Sequence, residues 1–214
     1  MARQYAGTLG QVGTGQSAVT WGDTDPPATW PMAGRLSLPK DWAKDADRRG
    51  PARVPAEVPF QTTPEIALGR LDQARAWGVP RRCVVAEADS GDNPPCLPGL
   101  EARQAGSVVG VRTDVRVSVG RAASSPVLRA EALLHSVPRW PWRPIRWRQG
   151  TTGWRRKQWV VVRCWRVTSD GQWHVGWLLG ERATRGPPEE RQYLWSNLPA
   201  SAPLEELAGY AHRR

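Results

Sequence analysis

The sequence predicts an α/β fold with a β-rich, basic segment inserted in it or appended to it. Three observations carry this. A capped amphipathic helix over 64–77 is followed by apolar runs at 83–86 and 108–111, and strand, helix, strand with short connections favours parallel pairing. Charge changes near Pro138: residues 1–136 hold 16 basic and 14 acidic side chains, whereas residues 137–214 hold 14 and 6. Beyond that point, strand-like runs at 159–167 and 173–179 flank a hairpin-type turn. The expected organisation is an α/β core over 1–136, a Trp/Arg-rich β segment over 137–200, and the start of a C-terminal helix over 201–214.

Each element has its own signal. The first 60 residues read as irregular, with short strands at Ala18–Trp21 and Arg35–Leu38. Asp25-Pro26-Pro27 and Trp30-Pro31 are expected to break regular structure. Residues 41–60 are charged and Pro-rich, and read as a surface excursion. Thr62 and Glu65 have capping-box spacing, although Thr63 is the better cap if Pro64 is the first helical residue. Ile66, Ala67, Leu71, Ala74 and Trp77 form one stripe, Gly78 supplies a left-handed stop, and Pro80 prevents continuation. Cys83–Ala86 reads as a buried strand, 96–105 as a looser helix, and Val108–Val111 as a second strand. Ser169-Asp170-Gly171-Gln172 joins the two long runs. Gln192–Trp195 adds a short strand, and Pro203 with Glu205-Glu206 opens the last helix.

Composition narrows the function classes. Lys and Arg number 30 against 20 Asp and Glu, a net charge of +10, which favours a polyanionic partner and says nothing about the fold. Trp is unusually common, 13 residues against one Phe and three Tyr. No apolar run approaches the roughly 20 residues of a membrane span, and the N-terminus has no apolar signal core. Cys83, Cys96 and Cys164 are widely spaced with no CxxC pair, which argues against a disulfide scaffold or structural zinc. The chain reads as cytoplasmic, with no membrane partner.

Several residues are candidates for chemistry. Glu87 follows the strand 83–86, and ligands gather at that end of open α/β sheets. With Asp89 and Asp92 it could hold a hard cation through oxygen ligands; the other reading is a solvated acidic turn around Gly91-Asp92-Asn93-Pro94. His135, His174 and His212 are about forty residues apart and in no metal or triad pattern. Gly10, Gly13 and Gly15 lack the Lys-Ser/Thr of a phosphate loop, so a turn is favoured. From Arg139 to Arg166 there are nine basic residues and no acidic one. Arg143, Arg146, Arg148, Arg155, Arg156 and Lys157 could neutralise phosphates while the interleaved indoles stack on bases. Alternatively, the indoles fill core and the cations solvate a face.

Ala2-Arg3-Gln4-Tyr5 with Gly15-Gln16-Ser17-Ala18-Val19 opens an ordered series of blocks. It continues with Arg35–Trp42, Val58–Leu68, Val84–Asn93, Trp147–Gly153 and Tyr193–Pro199. In order, these blocks resemble the IS701-type group of DDE transposases across almost the whole chain. The resemblance implies an RNase H-like core, here partial, whose Asp, Asp and Glu hold two Mg²⁺ or Mn²⁺ ions and whose substrate is DNA. It places the second family Asp at Glu87, one methylene longer, with Asp92 as a further metal candidate. The family aromatic falls on Ser90 and its Lys on Thr63. The first family Asp lies upstream of the Ala2–Tyr5 block. The last carboxylate is expected on the C-terminal helix beyond an Arg-Trp pair, past Arg213-Arg214, and Glu205 and Glu206 precede that position. The expectation is a transposase-like fragment that is inactive and metal-free alone, binds DNA non-specifically through the basic segment, and would need a complementing transposase chain for cleavage. A small basic nucleic-acid-binding protein is the alternative.

Overall fold

A computed structural model describes residues 2–6, 11–25, 28–80, 83–87, 96–122, 124–148, 153–184 and 191–213. Contacts divide the chain into two units, Met1–Pro80 and Arg81–Arg214. Among the described residues there are twelve strands and six helices, so the α/β class holds. No helix among them is long and apolar enough to cross a membrane.

In the first unit the expected irregularity is replaced by two antiparallel hairpins. β1 (Ala2–Ala6) pairs with β2 (Gln11–Gly15), so Gly13 and Gly15 lie in a strand rather than a turn. β3 (Ala18–Asp25) pairs with β4 (Ala28–Leu36). Trp30-Pro31 does not interrupt β4. The register shifts at Trp21/Gly22, Pro31 falls opposite Gly22, and β4 pairs along one edge only among the described residues. A residue without an N–H is tolerated at such an edge or bulge.

The 41–60 excursion contains two short helices, α1 (Lys40–Ala43) and α2 (Ala46–Arg49). Arg49 ties the excursion together by donating to the carbonyls of Ala43, Ala56 and Val58 at 3.1, 3.2 and 3.1 Å. α3 (Thr63–Ala76) is capped by Thr62, not Thr63. Thr62 is extended, and its N–H donates to Glu65 Oε2 at 2.7 Å while its Oγ1 accepts from the Glu65 N–H at 3.4 Å. The extended backbone before Pro64 is thus used one residue earlier than expected. Ile66, Leu68, Leu71 and Ala74 are buried, Trp77 is exposed, and Gly78 stops the helix at φ 72°. α3 lies against β3.

The second unit is built on one mixed sheet. β5 (Val84–Ala86) and β6 (Ser107–Val111) are parallel, with Val85 opposite Val108, and α4 (Cys96–Ala102) lies between them in sequence. β6 pairs antiparallel with β12 (Arg191–Ser196), β12 with β11 (Trp173–Ala183), and β11 with β10 (Trp154–Val167). Beyond β10 come β7 (Arg116–Ser118) and β8 (Leu128–Arg129), and β9 (Arg143–Arg148) shares that edge of β10. The change of charge near Pro138 therefore falls within a single sheet. β7, β8 and β9 carry no clear strand signal in the sequence.

Helices cover both faces of this sheet. On one face, Leu207, Ala208 and Ala211 of α6 (Leu204–Ala211) join Val108, Trp159, Leu179 and Leu194 in the main core. On the other, Leu134 of α5 (Ala130–Ser136) and Trp142 crowd Gly180. Trp195 lies on that same face over Gly176, as expected from the two-residue alternation of strands. A Cβ at Gly176 would collide with the Trp195 indole and lie 2.5 Å from Ser196 O, where backbone cannot move aside. Gly69 of α3 has open space around its Cα.

Gly176→Ala is expected to lower the unfolding free energy by about 1–3 kcal/mol through overpacking. Gly69→Ala should raise it by roughly 0.5–1 kcal/mol through helix propensity. Urea unfolding followed by tryptophan fluorescence checks both, and an unchanged midpoint for Gly176→Ala would contradict the packing of Trp195.

Candidate functional site

Glu87 is exposed immediately after β5, at the strand end where the sequence places it. Asp89 and Asp92 lie outside the described residues. Among the described residues, no three or more His, Cys, Asp or Glu side chains converge as a metal site. The described carboxylates thus show no gathered ligand set, and Asp89 and Asp92 stand outside them. The thiols offer no nucleophile either. Burial pushes Cys83 and Cys164 up to about 12, so both stay protonated at neutral pH.

The three histidines sit in three different settings. His135 ends α5 and is exposed. His174 Nδ1 pairs with Glu101 Oε2 at 2.9 Å. His212 stacks on Trp147 at 3.5 Å between ring centroids and meets Trp159 edge-on at 5.0 Å.

The basic segment sorts into two groups. The first is internal. Arg163 lies 5.1 Å from the Trp177 ring and donates to Leu198 O at 3.2 Å. Arg182 lies 4.0 Å from the Trp142 ring and donates from Nε to Gln158 Oε1 at 2.8 Å. Arg166 is buried, 5.7 Å from the Trp195 ring and 3.7 Å from Glu101 Oε1. Burial lowers its pKa and the Glu101 carboxylate partly offsets this. These contacts are cation–π pairs and hydrogen bonds that hold indoles and guanidinia together.

Lys157, expected among the phosphate-binding cations, is half-buried and already paired with a carboxylate. Its ammonium donates to Glu181 Oε1, and the Glu181 side chain is only 4% exposed. A buried carboxylate needs a partner more than solvent-exposed DNA does. The signal was present in the hairpin register. Extending the strands from the turn at Gly171 puts Trp159 opposite Glu181 and Lys157 diagonally beside it.

The second group is exposed. Arg143, Arg146, Arg155 and Arg156 are all solvent-facing on β9 and β10. Arg148 lies in β9, and its side chain is outside the described residues. Antiparallel register puts Arg146 directly opposite Arg156, hence on one face. Trp154, two residues before Arg156, shares that face, is 66% exposed, and has the Arg146 guanidinium 5.3 Å from its ring. Arg143 and Arg155 take the opposite face, with Trp147 and Trp159. The core-filling reading of the indoles holds for Trp142, Trp159 and Trp195, which are buried, while Trp140 and Trp154 are exposed.

Residues 154–156 project beyond β11, because the β10–β11 register begins at Lys157, and they pair with β9 alone among the described strands. An open cleft of about 460 Å³ lies beside this ribbon, lined by Arg156, Lys157, Ala183 and Thr184. Two like charges directly opposite across strands cost roughly 0.2–1 kcal/mol. No acidic residue occurs between Arg139 and Arg166 to offset this locally. The arrangement suits an incoming anion.

A model of the DDE superfamily endonuclease family matches residues 1–154. No curated protein matches the chain.

Lys157→Ala is expected to destabilise the protein by about 1–3 kcal/mol, because the buried Glu181 carboxylate would lose its ammonium partner. Arg155→Ala and Arg156→Ala should each stay within about 0.5 kcal/mol of the parent. Chemical denaturation of the three variants checks this, and equal effects at all three positions would contradict the division into internal and exposed cations.

Proposed function

Because the chain belongs to the DDE superfamily endonuclease family, we propose that it is a transposase-like DNA-binding protein that does not cut DNA by itself. The family has DNA as its substrate and generally works with divalent metals. The single observation that carries the binding half of the proposal is the exposed Arg143, Arg146, Arg155 and Arg156 on the β9–β10 ribbon. Guanidinia placed this way neutralise phosphates and release counterions, without reading sequence.

The inactive half rests on Glu87 and its surroundings. By resemblance this residue takes the place of a metal-binding Asp, and its longer side chain displaces the carboxylate by roughly an ångström, a shift that can cost about 100-fold in rate. The ordered blocks from Ala2 to Pro199 support an IS701-type affinity within the family and a partial RNase H-like core. On this reading, cleavage requires a complementing chain that carries further carboxylates, and the protein acts in the cytoplasm. The exposed ribbon equally favours the second reading, a small basic protein that binds nucleic acid without sequence preference. The two part company on whether a complementing transposase chain restores cleavage.

The purified chain is expected to bind unrelated linear DNAs with affinity that falls steeply as salt rises. Replacing Arg143, Arg146, Arg155 and Arg156 together with Gln should flatten the plot of log affinity against log salt by roughly three to four units. Incubation with Mn²⁺ should leave the DNA intact. An unchanged slope would contradict the binding site. Cleavage abolished by both Glu87→Ala and Asp92→Ala would overturn the inactive reading.

A further inference from the structure

We propose that the face of the β9–β10 ribbon carrying Arg146, Trp154 and Arg156 is a subsite for an unpaired nucleotide of single-stranded DNA. The base stacks on the Trp154 indole, and its phosphate sits between the two guanidinia. The proposal rests on the DNA-binding reading above and narrows it from duplex DNA in general to DNA with exposed bases.

Three features converge on that face. The first is the contrast among indoles. Trp159 and Trp195 are fully buried, yet Trp154 is left 66% exposed at the end of a strand whose continuation is core. The Arg146 guanidinium lies over this ring at 5.3 Å, and the large area still in water offers a base a stacking surface at a charged site. The second is the like-charge pair. Arg146 and Arg156 face each other across the ladder, and an anion placed between them turns a repulsion into two charge-assisted contacts. The third is spacing. Trp154 and Arg156 are two residues apart on one strand, about 6.5–7 Å along it. That distance matches the run from a phosphate to a base of the same or the next nucleotide. The open cleft beside Arg156 leaves room for the strand to continue.

Base pairing decides the substrate class. In a duplex each base is already stacked on both sides and offers only its edges to a protein. The flat face of an indole gains its full contact only with a base that is out of the stack. A ribbon that used only its arginines would show no such preference.

The test measures binding of the full chain to a fluorescent single-stranded oligonucleotide and to a blunt duplex of the same length, at one salt concentration. The parent should favour the single strand. Trp154→Ala should weaken single-strand binding by about 10-fold and leave duplex binding within about 2-fold, whereas Trp154→Phe should recover part of the loss. Arg146→Gln should weaken both. Unfolding midpoints matched to the parent show that the variants remain folded. Equal losses on both DNAs for Trp154→Ala, or none on either, would overturn the stacking subsite while leaving DNA binding intact. Failure of the parent to bind either DNA would overturn both readings.

Discussion

The two-residue alternation of β10 is the constraint on which the second unit depends. Along one edge Lys157–Val167 pair with β11, and along the other Trp154–Trp159 pair with β9 and Trp165–Arg166 with β7. Every side chain is thereby committed to one of two faces. Further along, the sheet is covered by α6 on one face, over Trp159, and by Leu134 and Trp142 on the other, beside Val160. At Trp154–Arg156 the roof ends, and the same alternation delivers side chains to water. A single strand therefore contributes to the core and to the exposed ribbon proposed to meet DNA.

Burial also explains why the segment is rich in both Arg and Trp. A sheet with few aliphatic side chains at its rim is sealed here by indoles, and each large ring leaves a face that a guanidinium can cover. Arg163, Arg166 and Arg182 serve in this way against Trp177, Trp195 and Trp142. Their charges are spent on aromatic faces, carbonyls and Glu101. The formal excess of positive charge therefore overstates what is free to meet a polyanion. The projecting ribbon carries several exposed guanidinia within Arg139–Arg166, a stretch of sequence that contains no acidic residue.

Elements with local chemistry were legible in the sequence. Thr62 and Glu65 cap α3 through bonds three residues apart, Gly78 stops it, and Gly171 at φ 81° turns β10 into β11. The parallel partnership of β5 and β6 was legible because apolar runs bounded a helix-like stretch. Before residue 37 the strand cores at 18–21 and 35–36 were legible, but their extension and pairing into hairpins were not, since Gly and Pro hide strands that pair on only one edge. β9 was missed because Pro144 and a run of cations and indoles carry no apolar alternation. At the candidate site, Glu87 lies where its strand promised. Lys157 could not be sorted from its neighbours by local sequence, since its partner Glu181 is 24 residues away and is reached only through the hairpin register. The exposure of Trp154 was likewise set by how far β11 extends, a tertiary fact.

The central claim is that burial divides one basic segment into an internal aromatic–cation wall and an exposed ribbon that binds DNA. Backbone hydrogen exchange with and without a short DNA tests it most directly. The account predicts that DNA slows exchange in residues 143–148 and 153–159 and leaves 163–182 unchanged. Slowing centred on Arg163, Arg166 and Arg182, with none in the ribbon, would contradict it.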